Sequence, residues 1–367
     1  MECRPHRIHI ARTSPPPRLI EELEEMGFNV TWSDEEDCSP DTLNFVKPGR
    51  PVRCRNTVDF IPHITVIPDF LRALEVAGEW CSPSIAHYFR AVMGRLDALK
   101  TGYRPAWSSG PLRPPERPPP LYIVAEVYYR GSADETLEHV NRAFSEGADA
   151  VSIGLEDPRL ERGYLDTIRK VIEHYPNKPV LADPGSIEVM IEALKLGAHG
   201  GLSLTREQLH LVPEGLRASK AFVLIDFGGV EDLLAAARRA TALGYRKIIL
   251  DPIIYPPINP GTLGGLEAAG QLSRTWRGPI MLGLGNVYEL IDADTTGTIP
   301  LLTSLAAEAG VSVLLVTEES PKAYGAVLEA RVSADLISLA LYYKTPPKDY
   351  PLRLLVAKVK TLDGNRL

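Results

Sequence analysis

The sequence has no run of about 18 consecutive apolar residues, the length that a membrane-spanning helix needs. It also has no excess of positive charge, since 40 Lys and Arg stand against 47 Asp and Glu, a formal net charge of −7. General attraction to nucleic acid or to an anionic membrane requires a basic face. The basic N-terminus, Met1 to His9, lacks the apolar core and cleavage site of a secretion signal. These absences predict a cytoplasmic protein with no nucleic-acid partner and no membrane partner.

Several motifs of common enzyme classes are missing as well. There is no Gly-x-x-x-x-Gly-Lys-Ser/Thr phosphate loop, no His-Glu-x-x-His motif and no Gly-x-Ser-x-Gly elbow. The cysteines all lie in the first 81 residues, at Cys3, Cys38, Cys54 and Cys81. None of their spacings is Cys-x-x-Cys, which argues against a zinc or iron–sulfur site and leaves buried thiols or, in a hyperthermophile, a disulfide.

Prolines are concentrated in one segment. Between Pro105 and Pro120 there are seven of them, and proline is excluded from helix interiors and central strands because it fixes φ and has no N–H donor. We predict a stiff, extended linker over residues 105–120. It would separate a small α/β N-terminal domain (residues 1–104) from a larger domain (121–345), followed by a C-terminal extension with one strand (346–367).

The N-terminal region has its own apolar segments. Those at 7–11 and 28–32 predict strands flanking a helix at 17–26, and residues 69–99 have helical character. Nothing in this region indicates a chemical role. We predict that the strand of the C-terminal extension, at 351–360, returns to pair with this domain.

The larger domain is built from a repeated unit. Short runs rich in Val, Ile and Leu begin at residues 122, 150, 180, 201, 222, 248, 280 and 313. Such runs are typical of strands buried on both faces of a parallel sheet, and amphipathic helical segments lie between them. Eight strand–helix units over about 225 residues predict a (β/α)8 TIM barrel. An open doubly wound sheet is the alternative, but no Gly-x-Gly-x-x-Gly follows the first run to mark a dinucleotide site.

Polar residues follow most of the predicted strands, at the end where barrel active sites lie. They are Glu126, Glu156 with Asp157, Asp183, Ser203, Asp226, Asp251, Asn286 and Glu318. For any single position, capping of the next helix or turn is the structural alternative. Because Asp is a poor strand former and several strands share the pattern, we predict an acidic, hydrogen-bonding pocket. Asp183 and Asp251 stand out, since each is followed by a proline that stiffens the turn.

The segment from Met281 to Gly297 has the most specific local pattern. Gly283 and Gly285 permit close approach of a ligand to the backbone, and Asn286 supplies a donor and an acceptor. Asp292 and Asp294 are of the type that binds hard cations, but Asp-x-Asp before a helix is more often a cap. No metal site is predicted there, and a metal requirement stays open.

These residues together resemble the pterin-binding barrel superfamily, which contains dihydropteroate synthases and methyltetrahydropterin:corrinoid methyltransferases. The resemblance depends on the Asp ending strand three, the Asp-Pro ending strand six and Gly-x-Gly-Asn-Val-x-Glu-x-x-Asp-Ala-Asp-x-x-Gly after strand seven. The run from Leu314 to Lys322 adds to it. The layout looks most like the archaeal dihydropteroate synthase-related proteins, over residues 120–345.

The resemblance implies a pterin of folate or methanopterin type as substrate or cofactor. It implies that Asp183 and Asp251 accept hydrogen bonds from the 2-amino and ring N–H groups of the pterin, a planar two-point contact. Asn286 would reach the pterin ring, which makes Asp251 and Asn286 the catalytic candidates. Ser203 and Asp226 would complete the binding pocket. Further pocket candidates are Glu126, Glu289, Asp292, Asp294, Glu318 and Lys322.

The chain departs from the family pattern in two places. Ser203 stands where family members usually have Asn, and the segments after strands two and seven are acidic where a bound pyrophosphate would need cations or N–H donors. Arg130 and Lys322 are the cations that could compensate.

Three functions therefore stay open. The first is a dihydropteroate synthase-like transferase of archaeal folate or methanopterin metabolism. The second is methyl transfer from an N5-methyl pterin to a corrinoid protein or a thiol, which the strand-seven motif favours. The third is a non-catalytic pterin-binding subunit. The resemblance also implies a homodimer.

Overall fold

The computed structural model describes residues 83–347 without interruption, the segments 7–11, 28–39, 42–46 and 57–59, and the single residues 20, 21, 24, 350, 352 and 354. The chain forms two compact units, with the boundary between Asp97 and Ala98 and the second unit ending at Pro346. In the described part, no helix combines the length and the hydropathy that crossing a bilayer requires.

The first unit contains a parallel sheet. Its strands are β1 (Arg7–Ala11), β2 (Asn29–Ser33), β3 (Thr42–Val46) and β4 (Thr57–Asp59), in the order β2-β1-β3-β4. The strand predicted at 7–11 has those bounds, and the one predicted at 28–32 is shifted by one residue. Most of the predicted helix at 17–26 and most of the predicted C-terminal strand lie outside the described residues.

Two side chains of this unit, a histidine and a cysteine, are of the types that bind metals, and the structure shows other partners for both. His9 is buried, and its ring nitrogens lie 2.7 Å from Thr31 Oγ1 and 3.1 Å from Ser33 Oγ, which is a structural role. Cys38 is disulfide-bonded, in agreement with one of the two predicted alternatives. The other three cysteines lie outside the described residues.

The second unit is a parallel barrel of eight strands. They are β5 (Tyr122–Tyr128), β6 (Ala150–Leu155), β7 (Val180–Pro184), β8 (Gly200–Leu204), β9 (Ala221–Ile225), β10 (Ile248–Asp251), β11 (Met281–Gly283) and β12 (Val313–Thr317). The sheet order is β10-β9-β8-β7-β6-β5-β12-β11, and a parallel bridge between Leu250 and Ile280 joins its two edges. The predicted (β/α)8 barrel is confirmed, and each predicted apolar run overlaps one strand.

Helices alternate with these strands. They are α1 (Pro83–Gly102), α2 (Ala133–Ser145), α3 (Glu161–His174), α4 (Ile187–Leu196), α5 (Glu214–Ser219), α6 (Val230–Ala242), α7 (Thr262–Thr275), α8 (Gly285–Tyr288), α9 (Thr295–Glu308) and α10 (Ala326–Tyr343). Short 3-10 helices span Pro158–Leu160, Gln208–His210 and Pro321–Ala323. Four glycines that follow helices have φ between +83° and +121°, where a Cβ would be strained: Gly147, Gly197, Gly244 and Gly310.

The proline-rich segment is part of the barrel unit and not a free linker. Antiparallel bridges pair Pro105 with Pro115 and Ser109 with Leu112, and the Leu112 side chain is 1% exposed inside the barrel. Ser109 Oγ donates to the carbonyl of His199, and Ser312 Oγ donates to the carbonyl of Pro115. Because His199 and Ser312 immediately precede β8 and β12, the segment covers the N-terminal end of the barrel. Proline excluded regular elements here, but it did not exclude packing.

We expect Leu112→Ala to lower the free energy of unfolding by about 2–5 kcal/mol, because it leaves a cavity at the base of the barrel. Urea denaturation followed by circular dichroism measures the loss. Leu211→Ala is the control: this side chain is 46% exposed, and its truncation should change stability by about 0.5 kcal/mol or less. Equal midpoints for the two variants would show that the segment does not contribute to the core.

Candidate functional site

The lumen of the barrel changes from apolar to polar along its axis. Successive strand residues point to opposite faces, so Tyr122, Val124 and Glu126 of β5 share the inward side. The lower lumen is a buried cluster of Leu112, Tyr122, Val124, Ala150, Leu181, Leu202, Ala221, Val223, Ile249, Met281 and Val313. By the same alternation the upper lumen contains Glu126, Ser152, Gly154, Asp183, Asp251, Gly283 and Thr317. A polar pocket therefore lies at the C-terminal ends of the strands, above a closed apolar base.

Asp183 and Ser203 meet in this pocket. Ser203 Oγ lies 3.4 Å from Asp183 Oδ2, and Ser203 has φ of 61°, a left-handed conformation that is uncommon for a residue other than glycine. Burial raises the pKa of Asp183 to about 6, and the contact with Ser203 opposes this rise. The strained backbone of Ser203 places its hydroxyl beside the carboxyl group.

Asp251 ends β10 and is held by the turn that follows it. Its Oδ1 accepts a hydrogen bond of 2.8 Å from the N–H of Ile253, whose φ of 61° is strained for a β-branched residue. Burial raises the pKa of Asp251 to about 7, the turn hydrogen bond opposes the rise, and the charge of Asp183 adds to it. Both the backbone and the carboxyl group are thus in unfavourable states, a combination that clusters at functional sites.

Glu126 is the third inward carboxyl group. Burial, and then the neighbouring charge of Asp183, raise its pKa to about 8, so it is largely protonated at neutral pH. Tyr128, two residues further along the same face, is hydrogen-bonded to it. The ring of Tyr128 packs over Gly154, where an added Cβ would lie 2.8 Å from ring carbons.

These three carboxyl groups have no basic counter-ion among the residues that the structure describes. Arg130, on the loop after β5, pairs with Glu319 at the rim instead. Carboxyl groups buried close together without a cation repel one another when ionised, which a ligand with N–H donors or positive charge would relieve. The pocket is therefore suited to a donor-rich or cationic ligand.

Two further predicted residues shape the loops. Asn286 is exposed, and its Nδ2 donates a 2.9 Å hydrogen bond to the carbonyl of Ile254, so it braces the loop that follows Asp251. Asp226 lies one residue beyond β9, and its Oδ1 accepts a 2.8 Å hydrogen bond from the N–H of Gly228. This Asx turn accounts for Asp226 structurally, whereas Asn286 remains beside the pocket.

The remaining predicted residues form hydrogen bonds and ion pairs within the loops at the strand ends, beginning with Glu318. Glu318 pairs with Arg142 at 2.5 Å and accepts hydrogen bonds of 3.1 Å from the N–H groups of Gly325 and Val327, at the start of α10. Its carboxyl group is therefore a helix-end partner and not part of the polar lumen.

Glu289 and Lys322 tie the loops after β11 and β12 together. Glu289 Oε1 accepts a 2.9 Å hydrogen bond from the N–H of Glu319, and Lys322 Nζ donates to the carbonyl of Ile291. Asp292 and Asp294 are exposed on the same loop. Across the described residues, no group of three or more His, Cys, Asp or Glu side chains has an arrangement that could hold a metal ion.

The interpretation of the sequence missed Tyr128, Ser152 and Thr317. Each shares the inward face of its strand with the lumen residues two positions earlier, so alternation was the available signal. Ser152, a polar residue inside an otherwise apolar strand, was the clearest case.

Comparison with known proteins places this geometry in context. No protein-family model matches the chain. An uncharacterized protein of Methanocaldococcus jannaschii is 24% identical over 310 residues, which cover 80% of this chain and 57% of that protein. The chain thus spans little more than half the length of this relative.

Solved structures similar to the chain include Rv1207 of Mycobacterium tuberculosis (TM-score 0.49, 22% identity, 62% of this chain and 95% of that chain). Another is the dihydropteroate synthase of Thermus thermophilus in complex with 6HMPPP, with a TM-score of 0.48 and 21% identity over 61% of this chain and 94% of that chain. A third is the dihydropteroate synthase of Coxiella burnetii in complex with pteroic acid, with a TM-score of 0.48 and 18% identity over 61% of this chain and 93% of that chain.

Proposed function

We propose that the barrel binds a pterin by its donor-rich edge, through the carboxylates of Asp183 and Asp251. One observation carries the proposal: two half-buried carboxyl groups with raised pKa values lie at the ends of β7 and β10, and no cation in the described part of the chain pairs with them. A pterin presents a 2-amino group and an adjacent ring N–H in one plane. Each can donate to a carboxylate oxygen, and hydrogen bonds to charged groups are stronger than those between neutral groups.

The proposed reaction is a group transfer on the bound pterin, in folate- or methanopterin-type metabolism in the cytoplasm of an archaeal cell. The sequence resemblance at Asp183, Asp251 and Asn286 supports the pterin, and the relative in Methanocaldococcus jannaschii supports the archaeal setting. In this proposal Asp183 and Asp251 fix the orientation of the ring, and Asn286 holds the Asp251 loop through Ile254.

A second candidate activity is methyl transfer from an N5-methyl pterin. It is favoured because the side chains of Arg130 and Lys322 already have partners within the protein. Arg130 pairs with Glu319, and Lys322 donates to the Ile291 carbonyl, so both groups that could bind a diphosphate are already engaged. A methyl pterin needs no such anion site. The acceptor in this case would be a corrinoid protein or a thiol. Two assays separate the activities. One measures transfer of a methyl group from methyltetrahydropterin to cobalamin, and the other measures condensation of a pterin diphosphate with an aryl amine.

We expect wild-type protein to bind at least one reduced pterin and Asp183→Asn to bind it at least tenfold more weakly. The variant keeps the side-chain shape but loses the charge that strengthens the hydrogen bond, worth about 1.5–3 kcal/mol. Isothermal titration calorimetry and native mass spectrometry with folate- and methanopterin-type ligands measure the affinities.

Asp157→Asn is the matched control for this titration. Asp157 lies at the same end of the barrel, but its carboxylate accepts a 2.9 Å hydrogen bond from Nε of Arg159 at the surface. The Asp157→Asn variant should bind the pterin with the affinity of the wild type. Absence of binding by the wild type, or equal binding by Asp183→Asn, would refute the proposed pterin site. A protein that binds pterin but catalyses neither transfer would be a binding subunit.

A further inference from the structure

A row of three inward side chains crosses the adjacent strands β12, β5 and β6. Thr317 pairs in register with Glu126, and Glu126 pairs with Ser152. Partners in register on neighbouring strands point to the same face, so a carboxyl group lies between two hydroxyl groups on the inner wall of the barrel. Asp183 reaches the same wall from β7, where it pairs with Gly154.

The two hydroxyl groups have no hydrogen-bond partner in the part of the chain that the structure describes. Ser152 Oγ and Thr317 Oγ1 are both inaccessible and unpaired, in residues that are 0% and 9% exposed. A buried hydroxyl without a partner costs about 1–3 kcal/mol, so an arrangement with two of them beside one carboxyl group needs an explanation. Glu126 itself is half-buried, so the row is not sealed off from solvent.

The ionisable surroundings of Glu126 are almost entirely acidic. Burial raises its pKa most, the charges of Asp183, Glu319 and Glu156 add to the rise, and a hydrogen bond from the Tyr128 hydroxyl opposes it. Arg130 stands nearby but pairs with Glu319. These neighbours favour the neutral acid in the free protein. Each unpaired hydroxyl can accept one hydrogen bond from the neutral acid or donate one to the carboxylate, and two hydroxyl donors beside one carboxyl group favour its ionised form.

We propose that Glu126 is the residue that exchanges a proton with the bound ligand, and that Ser152 and Thr317 stabilise its ionised form. The inference rests on the proposed pterin site. In the step, the proton of the Glu126 carboxyl group moves to a ring nitrogen of the heterocycle, whose lone pair forms the new N–H bond. The electron pair of the broken O–H bond stays on the carboxylate. The carboxylate then accepts hydrogen bonds from the hydroxyls of Ser152, Thr317 and Tyr128, and the negative charge is paired with the positive charge on the ligand.

The test follows the protonation of a bound tetrahydropterin by its ultraviolet absorbance between pH 5 and pH 9. For the wild type we expect the midpoint of ring protonation to lie at least one pH unit above that in Glu126→Gln, with affinities within about threefold of each other. The double variant Ser152→Ala/Thr317→Val should bind the ligand and show a midpoint between the two. Glu207→Gln removes an exposed glutamate on the loop after β8 and should match the wild type.

The outcomes separate this inference from the function on which it rests. If wild type and Glu126→Gln both bind the pterin and have the same midpoint of ring protonation, the proton exchange is refuted, whereas the proposed pterin site is not. A double variant with the wild-type midpoint would overturn the role of the two hydroxyls. Absence of pterin binding by the wild type would overturn the proposed function and the ligand step together. Circular dichroism of each variant shows that the barrel has folded.

Discussion

Replacing Asp251 by Asn is expected to weaken pterin binding about 100-fold and, above pH 7, to make the free protein more stable. The first effect follows because the ligand loses a charged acceptor, and a loss of about 3 kcal/mol corresponds to roughly a hundredfold. The second follows from the raised pKa of Asp251, about 7 in the folded protein against 3.8 for an ordinary Asp. A group whose pKa is raised by folding contributes stability below its unfolded pKa, and this contribution disappears as pH rises through the folded pKa.

The variant is neutral at every pH and so avoids the burial of a charge. At pH 8 we expect a gain of about 1–3 kcal/mol and a melting temperature a few degrees higher, since one pKa unit corresponds to about 1.4 kcal/mol and partial solvation reduces the total. Near pH 5 Asp251 is mostly protonated in the folded state, and the gain should shrink as the pH is lowered. Thermal denaturation at pH 5 and pH 8, with Asp157→Asn as the control, measures this. A loss of stability at pH 8 would show that the carboxylate is needed by the fold and not by a ligand.

Replacing Arg331 by Met is expected to lower the free energy of unfolding by about 3–5 kcal/mol, the usual effect of removing one partner from a buried ion pair. Arg331, 5% exposed, extends from α10 to Asp149 Oδ2 at 3.0 Å and to Asp335 Oδ1 at 2.6 Å. Asp149 Oδ2 also accepts a 2.8 Å hydrogen bond from the N–H of Ile123. The cluster joins the last helix to β5 and to the residue before β6. Loss of Arg331 leaves Asp149 without its ion-pair partner where the barrel closes, whereas Asp335 keeps its 2.9 Å pair with Lys100.

Two comparisons define this effect. Arg169→Met removes an exposed pair with Asp166 on α3 and should change stability by about 1 kcal/mol or less. The triple variant Arg331→Met/Asp149→Asn/Asp335→Asn should recover part of the loss, because the unpaired charges are gone. Chemical denaturation measures all three proteins. Similar losses for Arg331→Met and Arg169→Met would mean that the cluster is not an energetic link in the barrel.

The prediction of the barrel succeeded because the signals that define it are local. Continuous Val, Ile and Leu runs at 122, 150 and 180 are what a strand buried on both faces requires, whatever its partners. Gly147 and Gly197 end helices through their own backbone conformation. The proline segment at 105–120 was the exception, because its place depends on Leu112 fitting the base of the barrel.

For the site, the sequence by itself determined which strands end in carboxyl groups, and it predicted Asp183 and Asp251 as pocket residues. It did not separate them from Glu318 or Glu289, which have the same chemistry near the same strand ends but bind backbone N–H groups of neighbouring loops. Only the tertiary structure decided this, and only it brought Ser152 and Thr317 to either side of Glu126. The physical reason is that a side chain's type is local, whereas its partner, its burial and therefore its pKa depend on residues far away in the chain that folding brings together.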